Sequence, residues 1–437
     1  MLIAILLSLG LAQSDTLALS LDAARARALE ANPTLLAERA EARAQRTETS
    51  AASRAFLPSV RAEVTGMRTN DPVAVFGLKL RQGVFAAGDL ALGALNDPGA
   101  FGGFSSAALV EIPLVAPEGW YGYAAARSGA EAREAAASRL AGATAFLVSQ
   151  AYLDAQLAAH RVDALDTTLA AVLGHVRQAA LLREQGLVTG LDARLASLEA
   201  ADLEVQRIAG AAEAENALSR LRALLAVPES TVLVLTDALA DAPALPTCAE
   251  EDSACSIGVR GDLRALEAAR EASNAARRSA RAAQLPQIGA FGGLTYHGHD
   301  TPWSSGSGDW TLGVVLRWNV FPALGGVAAV RKASAVHEAA GARYDAAHRA
   351  AEVEVLTAER MLEAAREGSV VAARAEAEAR EALAQAQVRY RTGAAPITEL
   401  LDVQSATTHA TLNLLTARRD LLLSQAALAF AYGVHDR

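Results

Sequence analysis

The sequence predicts a mainly α protein with a small β part, built as a duplicated helix–strands–helix repeat. Three observations carry this prediction. Ala-rich runs with apolar residues at helical spacing fill most of the 437 residues. Two shorter regions switch to strand-like alternation. The order of these features also occurs twice. Leu57-Pro58 opens the strand region of the first half, and Leu285-Pro286 opens that of the second. At the same offset Leu35 falls on Leu263 and Val60 on Ile288. Later in each half a glycine break recurs, at Gly186 and Gly393, and on that second offset Leu221 falls on Leu428. Such self-similarity marks a repeated structural unit.

The expected organisation is a secretory leader at 1–12, a first repeat at 13–227, a linker at 228–258 and a second repeat at 259–437. Met1 is followed by an apolar core from Leu2 to Leu11, then Gly10 and Ala12 at the small-residue positions of a cleavage site, although no Lys or Arg precedes the core. Leu17 to Ala55 reads as helix, interrupted at Asn32-Pro33, where proline suits the first turn of a new helix. Leu57-Pro58 ends it. Strands are expected at about 59–115, with turn signals at Asn70-Asp71-Pro72 and Asn96-Asp97-Pro98-Gly99. Phe104, Ser106, Ala108, Val110, Ile112 and Leu114 would share one strand face.

From Tyr121 to Gln185 the chain reads as one helix, about 100 Å long at ~1.5 Å per residue. Val162, Leu165, Leu169, Val172 and Val176 form its coiled-coil seam. Gly186 breaks it, with a hairpin tip near 186–190, and a helix at about Leu191 to Ala226 returns antiparallel. The second repeat reads as helix from Asp262 to Ala283 and strands at about 286–321. A long helix from Ala328 to Tyr390, a tip near 393–396 and a returning helix from Ile397 to Ala431 complete it. The clearest strand is Trp310 to Phe321. Trp310, Leu312, Val314, Leu316, Trp318 and Val320 face one way; Thr311, Gly313, Val315, Arg317 and Asn319 face the other. Apolar-out alternation bounded by tryptophans is a membrane-barrel pattern, although a half-buried strand in a soluble sandwich looks similar.

Composition narrows the function. Aromatics are only 5% of the chain, which suits closely packed coiled coils better than a large globular core. The net charge is −9, and no basic stripe exists to neutralise phosphates, so nucleic acid is excluded as a partner. Outside the N-terminal leader no run of about 18 apolar residues occurs, so no transmembrane helix is expected. Cys248 and Cys255 lie in the acidic linker, where they can close a small loop or stand as separate thiols. His297-Gly298-His299-Asp300 is the densest His/acid cluster, but two histidines in one turn are a weak ligand set, and no metal site is assigned. No nucleotide, nucleophile-elbow or zinc-protease motif occurs, so no enzyme activity and no cofactor is expected.

About four strands per chain cannot close a barrel, and open edges are not tolerated in lipid. Several chains in cyclic symmetry would be needed. Taken together, the duplication, the Leu-Pro strand entries, Trp318-Asn319-Val320-Phe321 before Gly325-Gly326, and the two glycine tips resemble the TolC-like outer-membrane efflux family. That resemblance covers about Leu17 to Gly433. It implies a homotrimer whose long coiled-coil hairpins form a periplasmic α-barrel continuous with a 12-stranded outer-membrane β-barrel, four strands from each chain. It further implies a passive export duct of a tripartite efflux or type I secretion system, coupled to an inner-membrane transporter through a periplasmic adaptor. The lipid-anchored branch of the family has an acylated cysteine that this chain lacks.

The resemblance also implies a gate. Glu399 and Asp402 match the family's acid-x-x-acid motif after Gly393, and Asp192 matches an aspartate six residues past Gly186. The arginine that normally ties the gate is replaced by Ala395. Glu399 and Asp402, three apart, share a helix face. In a trimer each would become a ring of three carboxylates that attracts cations. A solvated acidic helix face is the plainer reading. The rival function is a soluble periplasmic coiled-coil scaffold or adaptor. It explains the helices and glycine tips equally well, but not strands at matching places in both repeats.

Overall fold

The computed structural model describes residues 16–186, 188–239, 257–321, 323–434 and 436. The expected leader, Cys248 and Cys255 lie outside the described residues. Among those described, β1 (Thr16–Leu19) leads through α1 (Leu21–Ala31) and α2 (Pro33–Ala52) to β2 (Ser59–Thr69). Two short helices, α3 (Pro72–Arg81) and α4 (Leu92–Asn96), precede β3 (Phe101–Val115). Then come α5 (Pro117–Glu184), α6 (Gly190–Leu224), β4 (Val232–Leu235), α7 (Gly261–Ala282), β5 (Gln287–Gly298), β6 (Gly306–Arg317), α8 (Ala323–Arg391) and α9 (Ile397–Tyr432). The protein is mostly helical with a small sheet part, as its sequence predicts. Its chain divides into two compact units: residues 42–133 with 266–344, and the rest of the described chain.

The first of these units is a four-stranded antiparallel sheet with strand order β2-β3-β5-β6 and its flanking helical segments. Register assigns every side chain to a face, because strand residues alternate. One row across the sheet is Val60, Val110, Gly292 and Leu312; the next is Ala62, Ala108, Leu294 and Trp310. This face is apolar and open: Val60, Trp310 and Leu312 are each more than 70% exposed. The opposite face carries Glu63 and Asp309 in one row, and Thr65, Ser105, His297 and Ser307 in the next. A single sheet therefore separates an unburied apolar surface from a polar one.

The structure departs from the sequence expectation at three places in this sheet. The alternation of β3 breaks at a bulge between Pro113 and Val115, so Val115 and not Leu114 takes the place opposite Ile288. Proline cannot donate to the ladder, and a bulge is where a strand tolerates it. Strand β6 stops at Arg317 rather than running to Phe321. Its partner β5 begins at Gln287, just after Pro286, so the ladder has no donor beyond that pair. The Trp318 indole N–H instead donates to the Gln284 carbonyl at 3.1 Å. Finally, the segment between the two turn signals is helical. Asp71 caps α3 by accepting from the Ala74 N–H at 2.7 Å, and Pro72 occupies its first turn.

The second unit is a set of packed helices. Leu165 and Val172 on the seam of α5 bury against Ala200 and Leu203 of α6, with Leu169 and Val176 beside them. Asn32 separates α1 from α2; its Oδ1 accepts from the Thr34 and Leu35 N–H groups at 3.0 and 3.3 Å. The helix expected from Leu17 starts instead at Leu21, because Thr16–Leu19 pairs in parallel with Val232–Leu235. The stretch expected as linker thus contributes a strand. Leu19 and Leu233 join Val148, Tyr152 and Leu221 in one buried cluster, and this tertiary burial outweighs local helix propensity.

Candidate aperture at the hairpin tips

Both long helices end at a glycine in the left-handed region. Gly186 has φ +74° and Gly393 φ +72°. A side chain there would face open space, so what calls for glycine is the backbone alone. After the first tip Thr189 caps α6. Its hydroxyl accepts from the Asp192 N–H at 3.3 Å, while the Asp192 carboxylate accepts from the Thr189 N–H and hydroxyl, each at 2.8 Å. This is a reciprocal capping box, which fixes the start of the returning helix. After the second tip Pro396 leads into α9, and Ile397 is buried at its start.

The two tips pack on each other. Ala179 of α5 and Ala196 of α6 bury with Ala386 and Tyr390 of α8 and with Ile397, Leu400 and Leu401 of α9. Small residues let the four helices approach closely. The acids expected to form the aperture lie outside this core, Asp192 and Glu399 partly buried and Asp402 exposed. Asp192 and Glu399 each stand six residues past their glycine, in the first turns of α6 and α9. A helix N-terminus favours a carboxylate there.

Each expected acid has its own surroundings. Glu399 pairs with Arg389, from the last turn of α8, at 3.0 Å. Ala395, where the family's arginine is replaced, is buried. Asp192 serves the capping box and also acts on Tyr390, whose pKa is pushed up by burial and then by the Asp192 charge. The Tyr390 hydroxyl is buried without a hydrogen-bond partner among the described residues. Asp402 is exposed and acts on Glu199 of α6. The Glu199 carboxyl lies above its ordinary value of 4.5, first through burial, then through Asp202 and Asp402, with His409 opposing. The structure therefore relates Asp192 to Tyr390 and Asp402 to Glu199, each pair joining the two hairpins, while Glu399 is tied within its own hairpin.

Tyr390, Arg389, Glu199 and Asp202 were not singled out by sequence. Tyr390 stands three residues before Gly393, but nothing local distinguishes it from other apolar seam residues. Asp202 and His409 do occupy equivalent places in the two repeats, sixteen residues past their glycines, which is a signal that the duplication holds. Among the described residues no group of three His, Cys, Asp or Glu is arranged to hold a metal ion. The His297–Asp300 turn does not converge either: His297 Nε2 meets Asp309 at 2.8 Å, whereas His299 Nδ1 meets Asp300 at 2.7 Å.

Comparison with known proteins bears on both units. Residues 257–434 match the family model described as Outer membrane efflux protein. Curated protein sequences give no match. Among solved structures the chain is similar to CusC, with a TM-score of 0.81 at 18% identity, covering 94% of this chain and 91% of that one. It is similar to the CmeC outer membrane channel of Campylobacter jejuni, with a TM-score of 0.79 at 16% identity over 95% and 86% of the two chains. It is also similar to the MtrE outer membrane channel of Neisseria gonorrhoeae, with 0.78, 20%, 94% and 88% respectively.

Proposed function

We propose that this chain, which carries the outer membrane efflux protein signature in its second repeat and the fold of the solved outer-membrane channels, is one protomer of a passive export duct. Three copies would join their sheets into a 12-stranded barrel in the outer membrane, with the helical hairpins in the periplasm. There they would meet an adaptor and an inner-membrane transporter of an efflux or secretion system. Cargo would be driven by that partner.

The observation that carries the reading is the two-faced sheet. Its strands are 11, 15, 12 and 12 residues long, and about 9–11 residues suffice to cross a bilayer at a tilt. The apolar face is open rather than packed, which water penalises and lipid rewards. Exposed Trp303 and Trp310 stand toward one end of the strands and Trp120, Trp318 and Phe321 beyond the other, the places of two interfacial aromatic belts. Among the described residues the edges at β2 and β6 have no partner strand, and lipid leaves closure with other copies as their solution. The scaffold reading leaves this face without a purpose. The test is membrane integration: protein resistant to extraction by high salt and alkaline carbonate supports the duct, and release into the soluble fraction supports the scaffold.

Asp192, Glu399 and Asp402 would line the periplasmic aperture, with Gly186 and Gly393 setting the tips. Packing of the two tips in one core and the two cross-hairpin electrostatic pairs support this reading. Glu399→Ala with Asp402→Ala should weaken the cation preference and divalent block of the reconstituted channel. An unchanged selectivity would remove these acids from the aperture.

A further inference from the structure

The connection between β2 and β3 folds onto one face of the sheet, and it is the polar face. Helix α3 packs against β3 and β6. At its end Gln82 is buried, and its side-chain amide donates to the Gly102 carbonyl at 3.3 Å. It sits where a Cβ of Gly103 would be, so only glycine at 103 leaves room for it. Gly103 belongs to the face of Thr65, Ser105 and Glu63, not to the apolar face. A second tie joins the far strand: the Ser307 hydroxyl donates to the Arg81 carbonyl. The connection is itself folded. Val75 is buried, Phe76 meets Phe85 edge-on at 4.9 Å, and Lys79 donates to Asp89 at 2.6 Å while lying over the Phe101 ring. Beneath Arg81 lies a cavity of about 350 Å³ lined by Glu63, Thr65, Thr295, His297 and Asp309.

We propose that this connection is an inward-folded cap that narrows the outer mouth of the duct and makes exit there depend on solute size and charge. The inference rests on the proposed barrel, in which the polar face lines the lumen. The strand ends that carry the cap are those not joined to the long helices, so the cap belongs to the side facing away from the periplasm. Three copies would bring three caps to one axis. The cavity is lined by Arg81 of the cap and by the wall acids Glu63 and Asp309, the latter held by His297, so it would hold a solute bearing both charges, such as a zwitterion, better than a simple anion. This filter is separate from the aperture at the hairpin tips.

The experiment uses the full chain with Cys248 and Cys255 replaced by serine, in lipid vesicles. Thr65→Cys reports the polar face and Val64→Cys the apolar one, by labelling with a charged, membrane-impermeant thiol reagent. Two variants release the cap: Gln82→Ala with Ser307→Ala, and replacement of residues 71–99 by an Asn-Gly turn. The expected result is slow labelling of Thr65→Cys in the capped protein, at least tenfold faster labelling in either released variant, and about twofold higher channel conductance. If lipid protects Val64→Cys but the Thr65→Cys rate ignores cap release in both variants, the cap is overturned and the barrel stands. If the reagent labels Val64→Cys as fast as it labels Thr65→Cys in the released variants, the barrel fails and the cap with it.

Discussion

Leu312→Arg separates a lipid-facing sheet from a water-facing one. Leu312 lies at the centre of the 12-residue strand β6 and is 75% exposed. If water covers it, an arginine loses no packing, and exposed substitutions of this kind stay within about 0.5 kcal/mol. If lipid covers it near the bilayer midplane, the same change costs about 2–4 kcal/mol per chain. The proposed trimer would carry the change three times, so the assembly would lose roughly 6–12 kcal/mol. Thr311→Arg is the internal control: its neighbour across the sheet is Gly293, on the polar face, and its cost should be near zero. The assay is urea unfolding of each variant in lipid vesicles, with protomer concentration held fixed because trimer stability depends on it. A large loss at 312 with little at 311 is the expected outcome. Equal effects at the two positions, or none at 312, would refute the assignment of the apolar face to lipid.

Other expectations follow from the hairpin tips. Gly186→Val or Gly393→Val forces a branched side chain into φ above +70°, at a cost of roughly 1–2 kcal/mol; faster proteolysis at the substituted tip would show it. Glu199 has a folded pKa above its ordinary 4.5, so it weakens the fold as pH rises above that value and not below it. Thermal melts of Glu199→Gln should therefore match the parent in acid and exceed it near neutrality. Arg389→Ala frees the Glu399 carboxylate of its cation and should raise the cation preference of the channel, measured as reversal potential in a salt gradient.

Much of the fold is legible in the sequence because its signals are periodic and repeated. The seam from Val162 to Val176 repeats at helical spacing, and Gly186 and Gly393 punctuate two helices whose mates align. Alternation from Trp310 to Leu316 fixes a strand and its faces. What sequence misses depends on partners distant along the chain. Thr16–Leu19 is a strand only because Val232–Leu235 lies beside it. Strand β6 ends where Pro286 ends its partner's ladder, not where its own alternation stops. The site divides the same way: Asp192 and Glu399 could be counted from their glycines, whereas the proximity of Tyr390 and Glu199 to acids of the other hairpin exists only once the tips pack.

The central claim is that copies of this chain enclose a passage through a membrane. Single-channel recording of the purified, folded protein in a planar bilayer, with a divalent cation added to each side in turn, tests it most directly. A trimeric duct with an acidic aperture should give discrete, cation-preferring conductance steps blocked from one side only. Absence of any conductance from folded protein inserted in the bilayer would contradict it.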